Sequence, residues 1–280
     1  MYKSIKSHLS DLELSHLHAV ENIRDANFAP VWVRFPYWQF SFCEESEGTM
    51  TFRNPAENFA TRYRRVSILP PGRLHCGIPR PDRKAVFHCL YLGMTQSDNR
   101  DPLAELALPH LLSPELSLAV HSLWRTVFEL QKQPEQDSGI RELVALKCAG
   151  FALVKLLCDH FEPVQPEPSA IPARLRETVR WMRMRLNASP DIATLARNAG
   201  MSRASFHRHF RNAFGMTPYA WFEELKMAEA EKMLCTAAYS IEEIAARLGY
   251  RDRFQFSRRF KAVRGMPPGR YRSQALAALL

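Results

Sequence analysis

The sequence lacks the features that would assign it to a membrane or secreted class. No uninterrupted apolar run approaches the roughly 18 residues that a membrane-spanning helix needs. The first eleven residues contain no apolar core of a signal peptide. The six cysteines include no C-x-x-C pair and are too sparse for a disulfide scaffold. We therefore expect a cytoplasmic protein that makes no membrane contact and keeps its thiols reduced and mostly buried.

The composition is that of an ordinary globular protein, but its charge is unevenly distributed. The 280 residues are 46% hydrophobic and 24% charged, which is enough for two domains that each bury a core. From Ile171 onward the chain has 20 of its 38 Lys and Arg but only 9 of its 29 Asp and Glu. A domain this basic would concentrate the protein on phosphate backbones.

The basic part contains one helical unit that occurs twice. Three apolar residues and a glycine recur after 49 residues, so that Ile192, Leu195, Ala196 and Gly200 match Ile241, Ile244, Ala245 and Gly249. Beyond the glycine the offset is 50, and the matches are Phe206 with Phe256, Arg208 with Arg258, Phe210 with Phe260, Gly215 with Gly265 and Pro218 with Pro268. The second copy therefore has one extra residue in its turn. Apolar residues at this spacing predict two short helices around each turn.

Polar residues and glycines mark the ends of these helices. The expected N-terminal caps are Asp191 or Ser189 and then Ser202 in the first copy, and Ser240 with Glu243 and then Asp252 in the second. Gly200 and Gly249 are typical left-handed stops at a helix end. The two Phe of each copy stand four residues apart and share an inward face, so the opposite, basic face is left exposed.

These residues resemble the DNA-binding domain of AraC/XylS transcription regulators. The resemblance rests on the double unit, the Ser-x-x-x-Phe-x-Arg-x-Phe pattern, and the closing residues Gly265, Pro267, Pro268, Tyr271 and Arg272. It covers about the last third of the chain. It implies an all-α domain with helix-turn-helix motifs at about 191–212 and 240–262, joined by a linker helix from Pro218 to about Cys235. Such a domain would place two recognition helices in successive major grooves of double-stranded DNA.

We expect the outward residues of both recognition helices to contact DNA. Arg208 and Arg258 are candidates for base contacts, because a guanidinium can form two hydrogen bonds with guanine. The other candidate base readers are His207, Gln255 and Ser257, with Ala204 and Phe254 as candidates for contact with a thymine methyl. The candidates for phosphate contacts are Arg203, Arg211, Arg253 and Lys261. In an alternative interpretation, Phe254 packs on the linker helix.

The N-terminal part predicts β structure within an α+β protein. Its first 27 residues are polar with a slightly helical pattern. From Phe28 to about Gly93, short runs with a period of two alternate with turns such as Pro70-Pro71-Gly72, which is typical of a barrel or sandwich. In one run, Trp38, Phe40 and Phe42 fall on one side and Tyr37, Gln39 and Ser41 on the other. The run from Ser67 to Gly72, followed by His75 and His88, is similar to the cupin-like effector domain of the same family, without the glycine-rich signature of a metal-binding cupin.

The resemblance implies that this β-barrel binds a small-molecule effector, for which a sugar is our preferred class. The candidate ligand-binding residues are Arg34, Trp38, Phe40, His75 and His88. Aromatic walls bind compact ligands in small barrels, although the same residues can simply form a core. His75 and His88 also suggest a metal, but no H-x-H with a following carboxylate is present. We expect structural or ligand-contacting histidines, and no metal or other cofactor.

Two helices and a linker are predicted after the strands. The first begins at Ser113-Pro114 and has a stripe of Leu116, Val120, Leu123, Val127 and Leu130; the second has a stripe of Ile140, Leu143, Val144, Lys147, Gly150, Phe151, Val154 and Leu157. In the family such a pair commonly forms a dimer contact, so we expect a homodimer; alternatively, the helices only cover the barrel. Prolines predict a stiff linker. The predicted domains are 1–161 for effector binding and dimerisation, 162–171 for the linker and 172–280 for DNA binding.

The resemblance implies a transcription regulator, activator or repressor, that is controlled by its effector, works with RNA polymerase and is not an enzyme. Effector binding would act by changing the geometry of the dimer. Two alternatives remain open from the sequence. One is a metal-dependent enzyme, such as a sugar isomerase or dioxygenase, attached to a DNA-binding domain. The other is a regulator without an effector, in which the barrel serves only for dimerisation.

Overall fold

The chain divides into two compact units, one built mainly from residues 1–164 and the other mainly from residues 165–276. The computed structural model describes residues 12–24, 32–45, 47–80, 84–96, 101–132, 139–164, 173–235 and 238–279. The first unit combines strands with two long helices, and the second is helical, so the predicted α+β class is confirmed. Most of the predicted Pro-rich linker lies outside the described residues, and the domain boundaries stay a prediction.

The strands of the first unit form two antiparallel sheets. The four-stranded sheet has the order β1 (Leu12–Arg24), β7 (Ala85–Gln96), β2 (Trp38–Glu45), β5 (Val66–Leu69), and the three-stranded sheet has the order β4 (Phe59–Ala60), β3 (Gly48–Phe52), β6 (His75–Pro79). The described strands leave both sheets with open edges and form no closed barrel, so of the predicted barrel or sandwich the structure confirms antiparallel sheets, and the cupin-like barrel stays a prediction. The helical pattern expected for the first 27 residues is wrong for β1, which pairs with β7 and keeps polar residues because it is an edge strand.

The four-stranded sheet is covered on both faces. On one face, Phe40 and Leu92 pack in a core with residues of helices α1 (Pro114–Gln131) and α2 (Ile140–His160). On the other face, Leu69 packs against Met50 and Phe52 of the three-stranded sheet. The predicted alternation along β2 is therefore confirmed, but both of its sides are buried.

The two helices differ in how much of their surface is buried. Ser113 caps α1 as predicted, with Pro114 in its first turn. The buried residues of α1 are Ser117, Val120, His121, Trp124 and Val127, a face rotated from the predicted stripe. Those of α2 are Ala149, Gly150, Leu153, Val154 and Leu157. The rest of the predicted α2 stripe is exposed, with Ile140 at 78%, Leu143 at 54%, Val144 at 51% and Phe151 at 38%.

The second unit contains the two predicted helical copies. Its helices are α3 (Ala173–Met184), α4 (Ile192–Asn198), α5 (Arg203–Phe214), α6 (Pro218–Cys235), α7 (Ile241–Arg247), α8 (Arg253–Arg264) and α9 (Pro268–Leu279). The predicted caps are present on α4, α5, α7 and α8, with Asp191 rather than Ser189 on α4. Gly200 and Gly249 have positive φ angles of 65° and 71°, as expected for left-handed stops. None of the helices described is both long and apolar enough to cross a membrane.

Candidate functional site

Each helix-turn-helix copy is built on a pair of buried phenylalanines. Phe206 and Phe210 of α5 are fully buried, and the ring of Phe210 meets Trp221 edge-on at 5.5 Å. Phe256 and Phe260 of α8 are equally buried. These rings hold one face of each second helix against the rest of the unit, so the opposite face has to point to solvent.

The outward faces of α5 and α8 contain every residue that the sequence predicted for DNA contact. On α5, Arg203, Ala204, Arg208 and Arg211 are exposed and His207 is half-buried; on α8, Arg253, Phe254, Gln255, Arg258 and Lys261 are exposed and Ser257 is half-buried. Apart from Gln255, which is exposed on a neighbouring side of α8, these residues recur at spacings of one and four and so share one side of each helix. The structure therefore gathers these residues into two basic surfaces, which we call the α5 face and the α8 face.

The members of these faces differ in whether they already have partners. Arg253 pairs with Glu242 of α7, and its guanidinium carbon lies 4.8 Å from the centroid of the Phe254 ring. The side chain of Gln255 accepts a hydrogen bond from the backbone of Arg251 at 2.9 Å. Phe254 itself is 63% exposed, which does not fit the alternative in which it packs on the linker helix.

Arg208 and Arg258, by contrast, make no hydrogen bond or ion pair with any residue that the structure describes. Both guanidinium groups are exposed and keep all their donors available. Since a free guanidinium can form two parallel hydrogen bonds with a base edge, these two positions suit direct readout better than the paired Arg253 does.

Helix α6, the predicted linker helix, is buried on almost every side. Its 18 residues extend over ~27 Å at ~1.5 Å each. Its buried residues include Trp221, Phe222, Met227, Ala230 and Leu234. Phe222 belongs to the core of the first copy, while polar residues of α6 bind α8. The linker is thus a central core helix that both copies share.

An ionic network joins α8 to α6. Arg264 donates to Glu231 through Nε at 2.8 Å, and to Glu224 through a terminal nitrogen at 2.8 Å. Arg259 donates to Glu223 at 2.7 Å. The sequence did not reveal this network, because its partners are 33 to 40 residues apart in the chain. The sequence of α6 did contain a signal. Its apolar residues occur on every side of the helix, which indicates that the charged residues between them are buried as well.

Tyr250, which follows Gly249 as Met201 follows Gly200, contacts the same helix. Its hydroxyl donates to Glu223 at 3.3 Å, and the ammonium group of Lys226 lies 5.0 Å from the centroid of its ring. Burial and the nearby Glu223 carboxylate raise the pKa of Tyr250. Tyr250 therefore attaches the second copy to α6 by a hydrogen bond and a cation–π contact. Met201, at the matching position of the first copy, has neither a hydroxyl nor a ring and cannot make them.

The predicted effector residues do not converge on one point. Phe40 lies in the core with α1 and α2, and Trp38 is buried beside it, its indole donating to Asp101 at 2.7 Å. Arg34 is half-buried. His75 contacts the carbonyl of Arg73 and the side chain of Gln39, and burial lowers its pKa to about 4. Whether any of these residues binds a ligand stays a prediction.

His88 is paired with a residue that the sequence did not predict. His88 and His75 lie in different sheets, but Nδ1 of His88 is 2.8 Å from Nε2 of His121 on α1. His88 also stacks on Trp124 at 3.9 Å between ring centroids. Burial, followed by the adjacent His88, lowers the pKa of His121 to about 4. The sequence contained a signal for the burial of His121. It lies beside Val120 and three residues before Trp124, so these three residues share one face of α1, and His121 is buried if that face packs on the sheet.

Known proteins are similar to this chain in both its N-terminal and its C-terminal part. A family model described as a helix-turn-helix domain matches residues 195–274. The arabinose operon regulatory protein of Escherichia coli K12 is 28% identical over 231 residues, which are 81% of this chain and 77% of that protein. Its counterpart from Salmonella typhimurium LT2 is 22% identical over 231 residues, which are 81% of this chain and 80% of that protein.

A likeness of fold extends over nearly the whole chain. The structure of ToxT from Vibrio cholerae O395 superposes with a TM-score of 0.54 at 11% identity, and the match covers 92% of this chain and 99% of that one. At this identity the likeness concerns the fold alone, namely a β-rich N-terminal part followed by a helical part.

Proposed function

We propose that this chain, which contains a C-terminal helix-turn-helix domain and is a homologue of AraC-family regulators, is a sequence-specific transcription regulator that reads DNA with α5 and α8. The observation that carries the proposal is the pair of exposed basic faces, each backed by buried phenylalanines and both attached to one core helix. A regulator of this kind works on double-stranded DNA in the cytoplasm and acts together with RNA polymerase.

The proposed mechanism uses the two faces as a rigid pair. Arg208 and Arg258 contact base edges in successive major grooves, while Arg211 and Lys261 bind the phosphates beside them. Because α6 is packed against both copies, its rigidity fixes the spacing between the two readers. DNA sites with the wrong spacing between two short base blocks would then lose one of the two sets of contacts.

We infer that an effector binds to the N-terminal unit between its two sheets, in the place that a cupin-like effector domain would use. Ser41 and Ser67 are cross-strand neighbours on the side of the four-stranded sheet that also holds Gln39, whose side chain contacts His75 of the other sheet. All four are buried, and the hydroxyl of Ser67 has no hydrogen-bond partner among the residues described. Buried polar groups suit a compact polar molecule such as a sugar.

The exposed apolar surface of α2 supports a homodimer. Ile140, Leu143, Val144 and Phe151 are exposed and lie beside the buried face of the helix, which contains Gly150, Val154 and Leu157. An apolar helical stripe of this length is the usual seam between paired helices. Effector binding to a dimer could then change which DNA half-sites are occupied.

Selection from a pool of random duplex DNA tests the regulator function. The full-length protein is incubated with the pool at two salt concentrations, and the bound duplexes are sequenced. We expect enrichment of two short base blocks separated by about one helical turn. Binding that falls with salt but enriches no sequence would contradict the proposal, because the domain would then bind phosphate without reading bases.

A further inference from the structure

A cluster of histidines and carboxylates lies between the four-stranded sheet and α1. Glu21 of β1 and His88 of β7 are direct cross-strand neighbours, and His121 reaches them from α1. Glu44 comes from β2 on the other side of β7. Glu44, His88 and His121 each offer one ligand atom, and these atoms lie within 4.8 Å of one another.

Glu44 reaches the cluster because β2 has a bulge there. The pairing of β2 with β7 shifts between Cys43 and Glu45, so Glu44 is the extra residue opposite β7. A bulge turns its side chain away from the direction that the regular pleat would give. One carboxylate oxygen of Glu44, Oε2, is buried and has no hydrogen-bond partner among the residues described. A buried carboxylate oxygen without a partner is costly, and a bound cation would satisfy it.

The second carboxylate, Glu21, contacts the far side of His88. Nε2 of His88 is 3.2 Å from Oε2 of Glu21, while Nδ1 faces His121. A metal-binding histidine usually donates its second ring N–H to a carboxylate in this way, which fixes the ring and its tautomer. Trp124 and Phe42 stack on the two imidazoles and hold their planes.

We propose that Glu44, His88 and His121 form a binding site for a divalent first-row transition-metal ion such as Zn²⁺, with Glu21 orienting His88. Two imidazoles and a carboxylate are a donor set that such ions accept, whereas Mg²⁺ and Ca²⁺ prefer oxygen ligands throughout. The site differs from an arrangement inside a barrel, because one ligand comes from α1. His75, the other histidine that the sequence suggested, takes no part.

Metal binding requires only a small adjustment of the histidine pair. The two facing nitrogens are 2.8 Å apart and share a proton, whereas two nitrogens on one tetrahedral zinc are about 3.3 Å apart. The shared proton must leave or move to Nδ1 of His121, and the rings must separate by about half an ångström. Arg64 and Arg125 are close enough to His121 to oppose a cation, and the charges of Glu21 and Glu44 offset them.

Titration of the chelator-treated full-length protein with Co²⁺, followed by competition with Zn²⁺, tests this site. We expect one Co²⁺ per chain, with the visible absorption of a low-symmetry site, and displacement by Zn²⁺. Glu44→Gln and His121→Gln should each weaken binding by at least tenfold, and Glu21→Gln by roughly ten- to a hundredfold. His110→Gln, which removes an exposed histidine of the same unit, is the control and should bind like the parent protein.

Thermal unfolding without metal separates binding from folding. Glu44→Gln keeps the shape of the side chain at a bulge and should melt like the parent protein, so a loss of Co²⁺ binding in this variant is a loss of a ligand. The proposal is overturned if the parent protein binds neither ion saturably, or if Glu44→Gln and His121→Gln bind like the parent. These readouts do not use DNA, so they are independent of the regulator function.

Discussion

Arg264 and Glu231 form an ion pair that is buried at both ends, with Nε 2.8 Å from Oε1 and side chains only 4% and 2% exposed. The pair joins the last turn of α8 to α6. A buried ion pair is a weak source of stability by itself, but removing one partner leaves an uncompensated charge in the core.

Glu231→Ala should therefore destabilise the second unit strongly. We expect a loss of about 3–5 kcal/mol in the free energy of unfolding, because the guanidinium of Arg264 stays buried with only Glu224 as its partner. The measurement is denaturant unfolding of the full chain. The double variant Glu231→Leu with Arg264→Met should recover much of this loss. A double variant as unstable as Glu231→Ala would contradict the explanation.

Gly249→Ala should cost more stability than Gly200→Ala, although both glycines have the same backbone conformation. Each alanine would have to adopt a positive φ angle, which costs about 1–2 kcal/mol. At Gly249 the added Cβ would also lie 2.0 Å from the carbonyl oxygen of Asn187, whereas at Gly200 nothing lies within 4 Å. Equal unfolding free energies for the two variants would exclude the close contact with Asn187.

Arg258→Ala and Arg208→Ala should each relax the base preference at one position of the DNA site. We expect a loss of about 1–3 kcal/mol for the selected duplex and a much smaller loss for random duplex. Fluorescence anisotropy with both duplexes gives the two affinities. Arg180→Ala removes the same charge from an exposed position of α3 and is the control. An equal loss on both duplexes would reassign the arginine to phosphate.

Arg211→Ala and Lys261→Ala should behave differently from the two base readers. We expect each to weaken binding to selected and random duplexes by a similar factor, and to reduce the slope of log affinity against log salt by about 1. Affinity measured at four salt concentrations gives this slope. An unchanged slope would place the residue outside the phosphate contacts.

Phe151→Glu should dissociate the proposed dimer. The side chain lies in the exposed apolar stripe of α2, where a carboxylate would be buried without a partner if two copies paired. Ala152→Glu introduces the same charge at the next exposed residue, about 100° around the helix, and is the matched control. Light scattering coupled to size exclusion should show a monomer for Phe151→Glu and a dimer for the control. A monomeric parent protein would exclude the dimer.

The features that the sequence predicted well are local. The capping box of Ser240 and Glu243 and the left-handed Gly200 each depend on a few neighbouring residues, and the structure confirms them. The duplication allowed the outward faces of α5 and α8 to be predicted. The two phenylalanines of each copy, four residues apart, mark the buried side of the helix, and the side opposite to them is the exposed one.

The features that were missed depend on contacts between distant segments. β1 pairs with β7 some 70 residues away, and an edge strand with polar residues gives no clear periodic signal. The face of α1 that becomes buried is decided by the sheet beneath it, which is why His121 points inward although Leu116 and Leu123 looked like the better stripe. Periodicity shows that a helix has an apolar face, but not how much of it a neighbour will cover.

The burial of α6 determines how this protein could be recombined with others. The two recognition surfaces are made only of outward side chains, so base preference could be transplanted by exchanging those side chains while the scaffold stays. Exchange of the whole second copy is different, because its arginines need Glu223, Glu224 and Glu231 on α6. A functional chimera must therefore inherit α6 together with α8, and its first copy must still fit Trp221 and Phe222 of that α6.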